Sequence, residues 1–305
     1  MQAEAILQFI LNARMDGERL HNTAEREIPM RIDAHQHYWK IDRGDYGWLT
    51  PDIPVLHKDF LPDDLKPRLD AHRLDGSVVV QAAPTPEETD YLLALAARDE
   101  SIKGVVGYLD LADDRHAEHY ERFVRHPKFV GFRLMIQDMP DAGVILAPSY
   151  IEALRSYAQR GAAVDLLVKS DQLEPLIELV EQVPGLRGVI DHIAKPRIAE
   201  GLMTPWDRQI AQLASHPNLY CKLSGMVTEA DHADWKAEQF IPYVRHALDC
   251  FGPDRVMFGS DWPVCLLAAG YDEVVDVLER ALPDTWGTAE REKLYGRNAQ
   301  AFYRL

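Results

Sequence analysis

Short apolar runs rich in β-branched residues alternate along this chain with stretches of helical period or turn chemistry. Eight such runs stand out: Met30–His35, Ser77–Ala82, Val105–Leu111, Phe129–Ile136, Ala163–Val168, Leu186–Asp191, Asn218–Leu223 and Arg255–Gly259. Near-continuous apolarity over so few residues marks strands covered on both faces, as in a parallel sheet wrapped by helices. The segments between them carry helix punctuation. Pro86-Glu87-Glu88 opens an amphipathic run through Tyr91, Leu92, Leu95 and Ala96, with acid in the first turn where the helix dipole favours it. Tyr150–Gln159 stops near Gly161, a residue suited to a left-handed cap. Thr204-Pro205 reads as an N-cap followed by a proline at the first helical position. Trp235–Phe251 ends at Gly252-Pro253 and must kink or split at Pro242, and Tyr271–Ala281 has helical apolar spacing at Val274, Val275 and Leu278.

Strand–helix alternation repeated eight times predicts an α/β protein, a closed (β/α)8 TIM barrel rather than an open doubly wound sheet. The runner-up, a Rossmann-like sheet, is weakened because no GxGxxG follows an early strand. At 305 residues the chain suits one barrel with insertions. No internal repeat or low-complexity linker divides it, so one domain is expected over residues 30–305, behind an N-terminal extension, 1–29. Ala3–Ala13 is apolar but has no basic run before it and no clear cleavage site after it. An amphipathic helix closing the barrel floor is therefore expected over a secretory signal, unless Met30 is the natural start.

The net charge of −16, without any Lys/Arg-rich run, argues against nucleic-acid or anionic-membrane partners, which need a basic patch. Cys221, Cys250 and Cys265 are widely spaced and show no CxxC, which suits a reduced, cytoplasmic setting. No apolar run reaches the roughly 18 residues of a membrane span.

The chemistry concentrates at strand ends. In Asp33-Ala34-His35-Gln36-His37 the two histidines are two apart, so both imidazoles share one face of the first strand. Such a pair suits a divalent metal or the polarisation of a carbonyl; its plainer role is ordinary hydrogen bonding. Gly188-Val189-Ile190-Asp191-His192 carries a histidine to the carboxyl rim, where this fold places catalytic groups, or merely to a helix cap. Val256-Met257-Phe258-Gly259-Ser260-Asp261-Trp262-Pro263 delivers a carboxylate to the same rim, with an N-cap as the plainer role. His35, His37, His192 and Asp261 together form a set that chance composition rarely assembles. Gln81, Arg133, Lys169, Lys195 and Lys222 occupy other rim positions, each of which could equally be a loop-tying salt bridge. Arg133 is the best donor to a substrate oxygen, and Lys222 shares a strand face with Tyr220. Trp39, Trp48 and Trp262 flank the motifs and could wall a sugar ring or simply pack.

In this arrangement DAHQHYW, GFRLMIQ, VDLLVKS, VIDHIAKP, YCKLSGMVTEAD and VMFGSDWPV resemble the motifs of the amidohydrolase-related lactonases, from about Arg31 to the C-terminus. That branch includes enzymes acting on L-fuconolactone, L-rhamnonolactone and 2-pyrone-4,6-dicarboxylate. The resemblance implies hydrolysis of a lactone ring, with Asp261 as general base and His35, His37 and His192 activating the carbonyl. Substrate contacts are expected from Arg133, Gln81, Lys169, Lys222, Trp39 and Trp262. The chain departs from the two-metal members, which place a carboxylated lysine on strand four and a histidine on strand five. Here those places read Phe132-Arg133-Leu134 and Leu167-Val168-Lys169, and cationic Arg133 repels a metal. The cofactor expectation is thus either none required or one divalent ion, zinc first, on His35, His37, His192 and Asp261. A pyrone dicarboxylate would call for several converging arginines. Arg133 is the obvious one, with Arg43 and Arg197 in loops, so an uncharged polyhydroxylated lactone is favoured. The competing readings are a metal-dependent decarboxylase of an aromatic acid and a degenerate barrel that only binds ligand. Homo-oligomer formation stays open.

Overall fold

In the computed structural model, which describes residues 29–305, all eight apolar runs become strands of one parallel sheet, paired in sequence order. They are β1 (Ile32–Gln36), β2 (Gly76–Val80), β3 (Ile102–Tyr108), β4 (Phe129–Met135), β5 (Ala163–Leu167), β6 (Arg187–Ile190), β7 (Leu219–Leu223) and β8 (Val256–Phe258). A parallel bridge between Gln36 and Trp262 returns the chain after β8 to β1, closing the sheet into the expected (β/α)8 barrel. Strands β1, β2, β5 and β8 are buried at every position, which is why their sequences run apolar without alternation.

Helices α1 (Pro62–Ala71), α2 (Pro86–Ala96), α3 (His116–Phe123), α4 (Pro148–Gln159), α5 (Leu173–Gln182), α6 (Trp206–Ala214), α7 (Ile241–Phe251) and α8 (Tyr271–Ala281) follow the strands in turn. Two short ones, α9 (Thr288–Glu292) and α10 (Asn298–Tyr303), end the chain. Each main helix buries one stripe. In α8 it is Tyr271, Val274, Val277, Leu278 and Ala281, while Val275 lies at the edge. Helix starts follow the local chemistry: the Thr85 side chain accepts from the Glu88 N–H at 3.2 Å, capping α2.

Strand β3 begins and ends three residues before its expected run, Val105–Leu111, and two expected helix starts shift. The run expected from Trp235 becomes helical only at Ile241, because Pro242 is accommodated in a first turn and not in a helix interior. Pro205 sits at the cap of α6, one residue before its helical run, and the Thr204 hydroxyl donates to Asp207 instead of accepting from the backbone.

The barrel interior is filled by Ile32, Ala34, Val78, Val80, Val106, Val189 and Met257, packed on Phe302 and Tyr303. The C-terminal helix α10 thus plugs the floor. The expected extension, 1–29, lies, except for Pro29, outside the described residues. Among those described, no helix is long and apolar enough to cross a membrane.

Candidate active site

At the carboxyl end of the barrel, one oxygen of Asp261 faces three imidazoles. Asp261 Oδ1 lies 3.2 Å from His37 Nε2, 3.8 Å from His35 Nε2 and 3.9 Å from His192 Nε2. The four residues that the motifs single out therefore form one cluster, and all are buried. His35 and His37 converge because they are two apart at the end of β1. Asp261 is set by hydrogen bonds to β1: its N–H donates to the His35 carbonyl at 2.8 Å, and the His37 N–H donates to the Trp262 carbonyl at 2.7 Å. Asp33 stitches the same seam, accepting from the Ser260 N–H, the His35 N–H and the Tyr271 hydroxyl.

Both His192 and Asp261 have left-handed backbones, with φ of 54° and 56°. His192 opens a run of four such residues, His192, Ile193, Ala194 and Lys195. For L-residues each costs on the order of 1–2 kcal/mol, most of all the β-branched Ile193. The run brings both His192 and Lys195 to the cavity wall. His192 is then seated on Gly225, where a Cβ would fall 2.4 Å from its Nδ1, and its Nδ1 lies 2.9 Å from Ser224 Oγ.

Below the histidines lies a buried charge network. The Lys222 ammonium donates to Asp165 and to His35 Nδ1 at 3.1 Å, and it forms an ion pair with Asp191, whose Oδ1 lies 3.1 Å away. Tyr303, from the floor plug, donates to the other Asp165 oxygen at 2.7 Å. Burial pushes the Asp165 carboxyl up to about 6, against the pull of Lys222. Burial also opposes the charge of Asp191, but Lys222, His192 and Arg133 overcome it and hold that carboxyl below its ordinary range. Sequence reasoning assigns no role to Asp165 or Asp191. The available signal is a carboxylate inside an otherwise apolar strand, a residue type almost never fully buried unless paired.

A cavity of about 510 Å³ opens above the cluster, lined by His37, His192 and Asp261, with Arg133 and Lys195 near them. The Arg133 guanidinium is pinned from behind by the carbonyl and side chain of Gln81. Gln81 is therefore a support beneath Arg133, outside the cavity lining. Lys222 is likewise one layer too deep to line it. Lys169 is exposed beyond the end of β5, and Trp39 and Trp262 are buried in the core, packed on Phe60. Neither indole reaches the cavity; Trp48 does, and it stays 39% exposed.

Burial pushes the imidazoles of His35 and His192 well below the usual histidine range, with Lys222 adding to the effect at His35. Burial would raise the Asp261 carboxyl, but His192 and the hydrogen bond with His37 prevail and hold it below the ordinary range. The cluster also has the chemistry of a cation site. His37 Nδ1 lies 2.8 Å from the Val80 carbonyl and so carries its proton there, which leaves a lone pair on Nε2 facing Asp261. That 3.2 Å contact needs either a second proton, which makes it the hydrogen bond that lowers Asp261, or a metal ion between the two atoms. His35 Nε2 is buried with no partner among the described residues, and ligand atoms of His35, His37 and Asp261 lie within 4.8 Å of one another. His37, His192 and Asp261 fit one divalent ion such as zinc, and His35 joins them through Nε2 when its Nδ1 carries the proton and faces Asp191 Oδ1, 3.2 Å away, in place of accepting from Lys222. A second trio, His35, Asp191 and His192, is already served by protein cations, since Lys222 and Arg133 both approach Asp191.

A family model described as Amidohydrolase matches residues 32–305. An L-fucono-1,5-lactonase from Burkholderia ambifaria is 39% identical over 282 residues, covering 91% of this chain and 97% of that protein. An L-fucono-1,5-lactonase from Burkholderia multivorans is 37% identical, covering 90% and 96%. Among solved structures, an amidohydrolase from Burkholderia multivorans with bound zinc superposes with a TM-score of 0.85 at 38% identity, covering 90% of this chain and 99% of that one.

Proposed function

This chain belongs to the amidohydrolase family, and on that premise we propose that it is a hydrolase that opens the ring of a lactone, with a sugar lactone such as L-fuconolactone as its substrate. The observation that carries the reading is the single Asp261 oxygen facing three imidazoles on the floor of a cavity that also admits Arg133 and Lys195. The likeness to L-fucono-1,5-lactonases over nine-tenths of the chain supports the substrate class.

The chemistry follows from the donors and acceptors present. A lactone placed with its carbonyl over the cluster meets fixed positive charge from Arg133 and Lys195, both at the cavity wall. These stabilise the oxyanion that forms when water adds to the carbonyl carbon. Asp261, held as a carboxylate, accepts the water proton in that step. As the ring C–O bond breaks, the proton passes from Asp261 to the departing ring oxygen, leaving a hydroxy acid. A low carboxyl pKa keeps the base available but weak. A lactone tolerates this, being a more reactive acyl group than an amide, and the neighbouring His37 shares the proton at 3.2 Å. His35, His37, His192 and Asp261 would hold a divalent ion, which when bound supplies Lewis acidity at the carbonyl. Lys222 keeps His35 oriented by donating to its Nδ1.

A panel of lactones followed with a pH indicator tests this reading. One proton released per ring opened, with kcat/KM on the order of 10⁴ M⁻¹ s⁻¹ or more on a polyhydroxylated lactone, is expected. Carbon dioxide release from aromatic acids without lactone opening would replace it with the decarboxylase.

A further inference from the structure

The inner end of the cavity is cationic, whereas the outer end carries acceptors. Asp45, Gly47 and Trp48 arrive from the segment after β1; Gln137 and Asp138 come from the turn Ile136–Asp138 after β4. Asp45 Oδ1 and Gln137 Oε1 are both buried and have no hydrogen-bond partner among the described residues. A buried acceptor left without a donor costs about 1–3 kcal/mol, which a ligand donor at that place would recover.

The Asp45 carboxylate is tethered at one oxygen only. Its other oxygen accepts from Arg43 Nη2 at 2.5 Å, and the Arg43 guanidinium lies over the Tyr91 ring at 4.4 Å. Trp48 is fixed as well: its indole N–H donates to the Ala82 carbonyl at 2.9 Å, and it packs edge-on against Trp39 at 5.4 Å. A flat apolar surface beside two unpaired acceptors suits a ring with C–H groups on its face and hydroxyls at its edge. A hydroxyl both donates and accepts, so it satisfies Gln137 in either orientation of the amide. A second carboxylate on the ligand would instead face Asp45 and Asp138.

We propose that Asp45 and Gln137 are specificity-determining residues that read ring hydroxyls of the lactone, with Trp48 as the platform beneath the ring. This rests on the lactone reading of the site and adds where the hydroxyls are recognised. Sites built to hydrogen-bond a substrate hydroxyl discriminate strongly against analogues that lack it, because the protein groups are left unpaired. Two such acceptors therefore select hydroxylated over bare lactones.

The test compares a polyhydroxylated six-membered lactone with unsubstituted δ-valerolactone in wild type, Asp45→Ala and Gln137→Met. The ratio of kcat/KM for the hydroxylated to the bare lactone should be at least about 100 in wild type and fall about tenfold or more in each variant, chiefly through KM. In parallel, calorimetry measures binding of a polyhydroxylated six-membered lactam, which resists hydrolysis, and of bare δ-valerolactam. Each variant should lose about tenfold in affinity for the first relative to the second. If wild type opens neither lactone, the hydrolase reading fails, while the lactam titration still decides the subsite. A ratio unchanged in both variants, or lactam binding that is absent or does not discriminate, overturns the proposal. Thermal melts of the variants establish that they are folded, and Gln137→Met, nearly the same size as wild type, keeps the test decisive should Asp45→Ala fail to fold.

Discussion

Replacing Lys222 by methionine probes the charge network beneath the site. The ammonium is fully buried and balances Asp165 and Asp191, which are fully buried too. Methionine fills much the same volume, so packing changes little and the loss is electrostatic. Breaking a buried pair by removing one partner costs about 3–5 kcal/mol, because the carboxylate left behind has neither water nor counter-ion. Against a total stability of about 5–15 kcal/mol this is a large fraction. At about 2–4 °C per kcal/mol for a chain of this size class, the melting temperature should drop by about 6–20 °C. Adding Asp165→Asn removes one of the stranded charges and should restore part of that loss. A catalytic effect accompanies it, since His35 loses the donor at its Nδ1. Outer partners of this kind commonly contribute about 10–100-fold, and kcat should fall by that amount. Scanning calorimetry or circular dichroism melts of both variants, with initial rates on the best lactone, provide the measurement. A Lys222→Met protein that melts within about 2 °C of wild type and turns over normally would refute the electrostatic argument.

Gly225→Ala should displace His192, because the new Cβ would fall 2.4 Å from its Nδ1 at a backbone φ of 58°; steady-state kinetics should read a loss in kcat of about 100-fold. Exhaustive chelation should leave turnover nearly unchanged, since Arg133 and Lys195 already offer positive charge to the oxyanion; metal analysis before and after, with loss restored by zinc, would instead establish a mononuclear metalloenzyme. The depressed Asp261 carboxyl has a signed consequence for stability. Its contribution is present above the unfolded carboxylate value of about 4 and is lost as pH falls through the lower folded value. Wild type should therefore lose stability relative to Asp261→Asn as the pH drops below about 4 and run parallel to it at higher pH; relative loss between about pH 5 and 7 would contradict the assignment.

The barrel is legible in the sequence because burial on both faces forces β-branched runs, and eight of them leave little choice of architecture. Helix α7 is misplaced at its start because apolar spacing from Trp235 continues without a break, and only the preference of Pro242 for a first turn sets the true boundary. The cluster of His35, His37, His192 and Asp261 is legible because strand ends of a barrel share one rim. Depth is not. Lys222 and Gln81 read as rim residues, yet one balances buried carboxylates and the other braces Arg133. The aromatic wall is ambiguous for a related reason. After β1 the chain leaves the barrel, no period tells which indole faces the cavity, and the packing of Trp39 on Phe60 and Tyr46 takes it into the core while Trp48 remains at the mouth. The left-handed run from His192 to Lys195 is invisible in sequence, as none of its residues favours that conformation.

The central claim is that Asp261 moves the proton of the attacking water, and Asp261→Asn tests it most directly. The amide is nearly isosteric with the carboxylate, so the seam between β8 and β1 should survive, and lactam binding should stay near wild type. The amide cannot accept the proton, and loss of a positioned general base lowers rate by on the order of 10²–10⁴. Arg133→Met, beside it in the same cavity, should raise KM more than it lowers kcat if Arg133 holds substrate. Rates of both variants on the best lactone are the measurement. The account predicts a kcat for Asp261→Asn at least about 100-fold below wild type with the fold intact; retention of more than about a tenth of wild-type turnover would contradict it and pass the role to another residue of the cluster, His192 first.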